Sequence, residues 1–232
     1  MPIRDTAALL VCAGNASRMG GIQKILHPLG ESSVLIHALR SFCRCESIAE
    51  LVVVCRAQDI PDFRSLIAEA ELPMPVQIAA GGETRQQSVR NGFAEISAAC
   101  SYVAIHDGAR PLILPADIER VIAQAHECGA ATLGVPVKDT VKIVRDGIIT
   151  ETPVRALLWN TQTPQVFRRS LYEQAVQLAA AQGKDYTDDC QLVEALGVPV
   201  HMTQGDYSNI KLTTPEDFAV AEALLRNRNG GN

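Results

Sequence analysis

The residues of this chain that could do chemistry are cations and glycines placed just beyond apolar runs. The first run, Ala7 to Ala13, passes into Ala13-Gly14-Asn15-Ala16-Ser17-Arg18-Met19-Gly20-Gly21, with Lys24 close behind. A loop of small residues lets backbone N–H groups approach a phosphate closely, and Arg18 and Lys24 add the charge that a phosphate requires. The plainer reading is a strand-to-helix turn carrying two surface cations. The dinucleotide fingerprint G-x-G-x-x-G fails here, because position 16 is Ala and position 19 is Met, and no stretch fits the P-loop pattern G-x-x-x-x-G-K-[ST].

Three more segments share this character. Gly81-Gly82-Glu83-Thr84-Arg85-Gln86-Gln87-Ser88 follows a third apolar run. Two glycines before a polar helix start would let a ring or ribose lie against bare backbone, and Thr84 alone would also serve as an ordinary helix cap. His106-Asp107-Gly108-Ala109-Arg110-Pro111 closes a fourth run. An acidic residue there, near a phosphate loop, is placed to hold a divalent metal, and a turn or helix cap is its bland alternative. His106 lacks metal-binding partners at close spacing and reads as a packed histidine. Lys211 is a lone cation in Asn209-Ile210-Lys211-Leu212-Thr213, either solvated at its tip or pointing into a site.

These segments need a scaffold that brings them together. Apolar runs near residues 7–13, 51–55, 76–79, 102–105 and 131–135 alternate with helical patterns near 33–42, 61–70, 84–96 and 116–127. That alternation predicts a mostly parallel α/β sheet, whose ligands bind beyond the carboxyl ends of the strands. The rhythm breaks after Pro136. Thr140 to Arg145, the turn pair Asp146-Gly147 and Ile148 to Thr152 predict an antiparallel hairpin arm. Such a hairpin is marginal alone, so it must pack on its own domain or on a second copy. Helices near 169–182 and 188–196, a strand near 198–202 and a last helix over 215–225 complete the chain.

Composition sets outer limits. The 232 residues predict one sizeable domain, read as 1–232 with the arm at about 137–160. With 26 acidic against 21 basic side chains and a net charge of −5, no broad field of cations exists for nucleic acid, so no nucleic-acid partner is expected. The longest apolar runs fall far short of the roughly 18 residues of a membrane span, and the N-terminus has no signal-peptide layout, so a cytoplasmic protein is expected with no membrane partner. The seven cysteines form no C-x-x-C pair and read as reduced, mostly buried small hydrophobes.

Taken in order, the loop Ala13-Gly14…Arg18-Met19…Lys24, Gly81-Gly82…Arg85…Ser88, His106 to Pro111, Pro136-Val137-Lys138-Asp139-Thr140, Gln162-Thr163-Pro164-Gln165, Thr187-Asp188-Asp189 and Asn209 to Thr213 resemble the 2-C-methyl-D-erythritol 4-phosphate cytidylyltransferase family. The resemblance runs from about Ala7 to Leu225. It implies a Rossmann-like nucleotidyltransferase fold with a protruding antiparallel β-arm, a homodimer joined through that arm, and transfer of the cytidylyl group of CTP to methylerythritol phosphate in isoprenoid precursor synthesis. It also implies Mg2+ as cofactor, with Asp107 at the metal. By position, Arg18, Lys24, Arg155 and Lys211 would be the catalytic cations. Ala13, Gly14, Gly82, Glu83, Ser88 and Ala109 would hold the nucleotide. Thr140, Thr163 and Thr187 would meet the second substrate, with Thr140 and Arg155 reaching across from the partner's arm. The phosphate loop departs from the family pattern at Cys12, Ala16 and Ile25.

The nearest alternative is a related cytidylyltransferase acting on ribitol 5-phosphate. A nicotinamide oxidoreductase, with Arg56 as a 2′-phosphate partner, is disfavoured by the failed glycine fingerprint. A nucleotide-binding protein without turnover is disfavoured by the retained cations.

Overall fold

The structure is a computed structural model that describes residues 3–14 and 24–229. Its strands are β1 (Thr6–Val11), β2 (Pro28–Leu29), β3 (Ser32–Ser33), β4 (Ile48–Cys55), β5 (Val76–Ala80), β6 (Tyr102–Asp107), β7 (Ala130–Pro136), β8 (Ile143–Arg145), β9 (Ile148–Glu151), β10 (Trp159–Arg168) and β11 (His201–Gln204). Its helices are α1 (Val34–Cys43), α2 (Ile60–Glu69), α3 (Arg85–Ala94), α4 (Pro115–Cys128), α5 (Arg169–Gln182), α6 (Asp189–Glu194) and α7 (Pro215–Asn229).

Seven strands form one sheet in the order β11-β7-β10-β6-β1-β4-β5. All neighbours are parallel except β10, which runs antiparallel to both β6 and β7. The chain builds outward from β1 through β4 to β5 and then returns to place β6 on the other side of β1. That reversal makes β1 and β6 the switch point, where the carboxyl ends leave a crevice for a ligand.

The inner strands β1, β4, β6 and β7 are buried on both faces, and their alternate residues serve opposite layers. Ala8, Leu10 and Cys12 join Leu51, Val53, Cys55 and Ala104 in the layer beneath α1, α2 and α4, where Phe42, Phe63 and Ile118 pack. Ala7, Leu9, Val52, Val54 and Ile105 face the other layer, closed by Phe93 of α3, Tyr172 of α5 and Val193 of α6. The helices start where side chains can take their first N–H groups: Ser33 Oγ accepts from the Ile36 amide at 3.3 Å, and Thr84 Oγ1 accepts from that of Gln87 at 3.2 Å.

Strand β10 escapes prediction. Its sequence, WNTQTPQVFR, is polar through its middle and carries a proline. Depth in the sheet overrides propensity, because Gln162 through Phe167 are buried between β6 and β7. The strand expected at 198–202 lies at His201–Gln204, and the hairpin arm is shorter than read, at Ile143–Arg145 and Ile148–Glu151. Its turn is as read: Asp146 and Gly147 both have positive φ, 51° and 80°, as a two-residue hairpin loop requires.

One close approach ties two site-bearing segments together. Gly108 follows β6 and donates its N–H to Val11 O at 3.0 Å. A Cβ at Gly108 would lie against Cys12 Sγ, well inside contact distance. Gly108→Ala should therefore destabilise the fold by roughly 1–3 kcal/mol through overpacking. Cys12→Ala in the same chain should return most of that loss in urea denaturation. An additive double variant would show that the two residues do not compete for one space.

Candidate active site

The carboxyl ends of β5, β4, β1 and β6 open into a cleft of 540 Å3. Val11 through Gly14 line it from the end of β1, with Lys24 and Ile25 behind them. Arg56 contributes from β4, Gly82 to Arg85 and Ser88 from the start of α3, Asp107 and Ala109 from the end of β6, and Lys211 and Thr213 from the segment before α7.

Asp107 is the electrostatic centre of this cleft. Lys211 Nζ lies 2.8 Å from Asp107 Oδ2, Arg85 Nη2 3.7 Å from Oδ1 and Arg110 Nε 3.9 Å from Oδ2. Burial alone would push this carboxyl up, but Lys211, Arg85 and Arg110 outweigh it and hold it at about 2. Arg85 faces two carboxylates, because its Nη1 lies 2.6 Å from Oδ2 of Asp189. Asp189 is buried at the start of α6, and its Oδ1 accepts the Tyr172 hydroxyl at 2.7 Å. Arg110 Nη1 in turn donates to Asn209 O at 2.8 Å, which pins the Lys211 segment beside β6.

Beneath Asp107 lies a chain of neutral hydrogen bonds. The Asp107 amide donates to Thr163 Oγ1 at 3.0 Å, Thr163 Oγ1 lies 3.1 Å from His106 Nδ1, and His106 Nε2 lies 3.1 Å from Arg110 O. A carbonyl can only accept, so Nε2 carries the proton and Nδ1 accepts from the Thr163 hydroxyl. His106 is fully buried, and burial pulls it down to about 4. Both of its nitrogens are engaged and neither reaches the cleft.

Ala13, Gly14, Lys24, Gly82, Glu83, Ser88, Asp107, Ala109 and Lys211, all singled out from sequence, line this one cleft. Thr163 is buried under it. Thr187 is exposed just before the Asp188 cap of α6. Thr140 and Arg155 are exposed on the arm segment, where Arg155 Nη1 donates to Lys138 O at 3.2 Å, and neither lines the cleft of its own chain. Arg18 and Ala16 lie outside the described residues. Arg85 and Arg110 stand inside the sequence motifs without an assigned role. Their signal was an arginine beside the small residues that border the cleft. Asp189 likewise stands inside the motif Thr187-Asp188-Asp189 without an assigned role, and only the fold brings it, on α6, to Arg85 of α3.

The model of the family described as IspD, 2-C-methyl-D-erythritol 4-phosphate cytidylyltransferase, matches residues 6–227. The chain belongs to this family. It is 46% identical over 220 residues to the 2-C-methyl-D-erythritol 4-phosphate cytidylyltransferase of Syntrophotalea carbinolica, covering 94% of each chain. It is 43% identical over 228 residues to that of Desulforamulus reducens, covering 97% of each. Among solved structures, the 4-diphosphocytidyl-2C-methyl-D-erythritol synthase of Anaerococcus prevotii superposes with a TM-score of 0.85 at 29% identity, over 95% of this chain and 98% of that one. The Thermus thermophilus cytidylyltransferase gives 0.77 at 30% identity, over 97% and 100%. The family's fold is thus the fold seen here, with its mostly parallel sheet and antiparallel hairpins.

The buried neutral His106 has a consequence for acid stability. Its folded pKa of about 4 lies below the unfolded value of 6.5, so the unfolded chain binds the extra proton between those limits. The contribution is fully present above pH 6.5 and is lost as the pH falls toward 4, to an extent of up to roughly 3 kcal/mol. Urea unfolding at pH 7, 5.5 and 4.5 should show this decline, and it should be smaller in His106→Gln. An imidazole NMR titration with a midpoint near 6.5 for His106 would refute it.

Proposed function

We propose that this chain transfers the cytidylyl group of CTP to 2-C-methyl-D-erythritol 4-phosphate, releasing pyrophosphate, as a cytosolic step of isoprenoid precursor synthesis. The observation that carries this reading is the convergence of Lys24, Arg85 and Lys211 on a glycine-lined cleft around Asp107, in a chain of this family. The phosphate of the acceptor attacks the α-phosphorus of CTP. A phosphate oxygen–phosphorus bond forms, the bond from the α-phosphorus to the bridging oxygen breaks, and pyrophosphate leaves with the electron pair. The nucleophile is a phosphate whose second pKa is near 6, so it is ionised at neutral pH without a base.

The difficulty is charge, since two polyanions meet and the equatorial oxygens gain negative charge. Lys24 and Arg18 grip the CTP phosphates, and Lys211 orients the acceptor phosphate. The backbone of Ala13, Gly14 and Gly82, with Ser88 and Ala109, holds the nucleoside. Among the described residues no three His, Cys, Asp or Glu side chains form a self-sufficient metal site. One carboxylate beside a phosphate cleft nevertheless suits Mg2+, which keeps its waters and is held jointly by protein and substrate phosphates. Asp107 is that carboxylate, and the ion would supply charge neutralisation at the phosphates. No helix among the described residues is long and apolar enough to cross a membrane, and all seven cysteines are free, which supports a cytosolic location.

The arm supports a homodimer. Ile148, Ile149, Val154 and Leu157 are exposed, Leu157 at 79%, an apolar surface that a two-stranded hairpin cannot cover by itself. In the dimer, Thr140 and Arg155 of one subunit reach the acceptor in the other subunit's cleft.

Pyrophosphate release with CTP and Mg2+ should require methylerythritol phosphate and should not occur with ribitol 5-phosphate; the reverse would overturn the acceptor assignment. Lys24→Ala should lower kcat by about 10²–10³, as loss of one charge-stabilising donor does. Arg155→Ala should impair use of the acceptor while leaving CTP affinity in place. Mixed and re-annealed, the Lys24→Ala and Arg155→Ala chains should recover about a quarter of wild-type activity, because half the dimers are hybrids and each hybrid holds one complete site. No recovery would place Arg155 outside the partner's site.

A further inference from the structure

Arg56 is the cleft cation for which the transfer reaction gives no use. It follows β4 directly and lines the cleft with Gly82, Glu83 and Ser88. In the sheet order β4 is two strands from β6, so roughly 10 Å separates this end from Asp107 and Lys211. The cleft therefore has a β6 end crowded with cations and a β4–β5 end of glycine backbone with one guanidinium.

That guanidinium is preset. Its Nε lies 2.5 Å from Oδ2 of Asp59 and its Nη2 3.2 Å from Oδ1, and Asp59 is itself buried. This fork-to-carboxylate pairing fixes the plane of the group and leaves three of its five N–H groups to donate. The neighbouring backbone donors are already engaged. The Gly81 amide donates to Cys55 O at 2.7 Å, that of Gly82 to Ser88 Oγ at 3.1 Å and that of Glu83 to Gln87 Oε1 at 2.9 Å.

We propose that Arg56 selects the base of the nucleotide. With the triphosphate held by Lys24 behind the end of β1, the heterocycle lies against the Gly82 backbone beside Arg56, and Arg56 donates to its ring acceptors. Cytosine presents O2 and N3 side by side as acceptors, a match for a planar two-pronged donor. Uracil carries hydrogen on N3, so a donor would face a donor, and the mismatch disfavours it. The inference rests on the cytidylyl-transfer reading above.

The test is steady-state pyrophosphate release with CTP and with UTP for wild type, Arg56→Met and Arg56→Lys. Arg56→Met should raise the KM for CTP about tenfold or more, the effect of losing a charged hydrogen bond. It should leave kcat within about twofold and lower the CTP-to-UTP ratio of kcat/KM by the same tenfold. Arg56→Lys, a point donor without the fork, should fall between. If Arg56 only braces Asp59, the melting temperature falls while the ratio stays at the wild-type value, and the inference is overturned. Should the single variant not fold around the stranded carboxylate, Arg56→Met with Asp59→Asn gives the same reading. A wild-type chain that turns over no CTP overturns the transfer reading and this inference together. CTP turnover with an unchanged ratio in the variant overturns the inference alone.

Discussion

A single ionised carboxylate at the end of β6 organises the functional half of this molecule. Asp107 is nearly enclosed, and such a group survives as a charge only when opposite charges surround it. Lys211, Arg85 and Arg110 do so, and each arrives from a different segment. Arg85 ties α3 to α6 through Asp189, and Arg110 ties the β6 turn to the strap before α7 through Asn209 O. The strap is fixed again where Leu212 N donates to Ala109 O at 2.8 Å and where buried Asn209 donates to Thr163 O at 3.0 Å. Removing the carboxylate would leave three cations facing one another at the switch point of the sheet. The same arrangement explains how a chain of net charge −5 can receive a polyanion. The described cleft wall carries four cations against two carboxylates, so the field that matters is local.

Most of this scaffold was legible because each element announces itself in one dimension. Buried parallel strands are short apolar runs such as Leu51 to Cys55, and amphipathic helices such as α5 carry their own period. Asp146-Gly147 specified its turn because few other pairs accept two positive φ angles. What could not be read is β10. Its residues Gln162, Thr163 and Gln165 are polar, yet they are buried in the sheet by the return of the chain from the arm. Their polarity has structural partners that only the fold supplies. Gln165 bonds Asp188 and the Asp189 amide, Gln162 bonds Asp206 O, and Thr163 bonds His106. A buried polar strand thus supports the site from beneath, and its composition makes sense only once its neighbours are known.

The site divides in the same way. Residues next to strand ends, such as Ala13, Gly82, Asp107 and Ala109, could be located from the strand pattern alone, because an α/β sheet gathers its carboxyl ends at one edge. Their roles did not follow from position and came with the family resemblance. Arg85 stood in view, one residue past the Thr84 cap, but its work depends on Asp189, more than a hundred residues later. For Thr163 the resemblance implies a supporting role at the second substrate. Its hydroxyl lies between the Asp107 amide and His106, where it fixes the backbone of the carboxylate from below.

That buried relay bears on the kind of chemistry the cleft supports. The ionisable group nearest to Asp107 with an ordinary pKa near neutrality is His106, and it is held neutral with both nitrogens engaged and no path to the cleft. A proton-transfer catalyst would need that imidazole free and exposed. Here the structure uses it to set an amide, and the polar groups of the described cleft wall are guanidinium, ammonium, carboxylate, hydroxyl, one thiol and backbone. Such a wall is equipped to bind, orient and neutralise charge. It suits a reaction whose nucleophile arrives already ionised and whose barrier lies in bringing anions together. Phosphate attack on a nucleoside triphosphate meets both conditions.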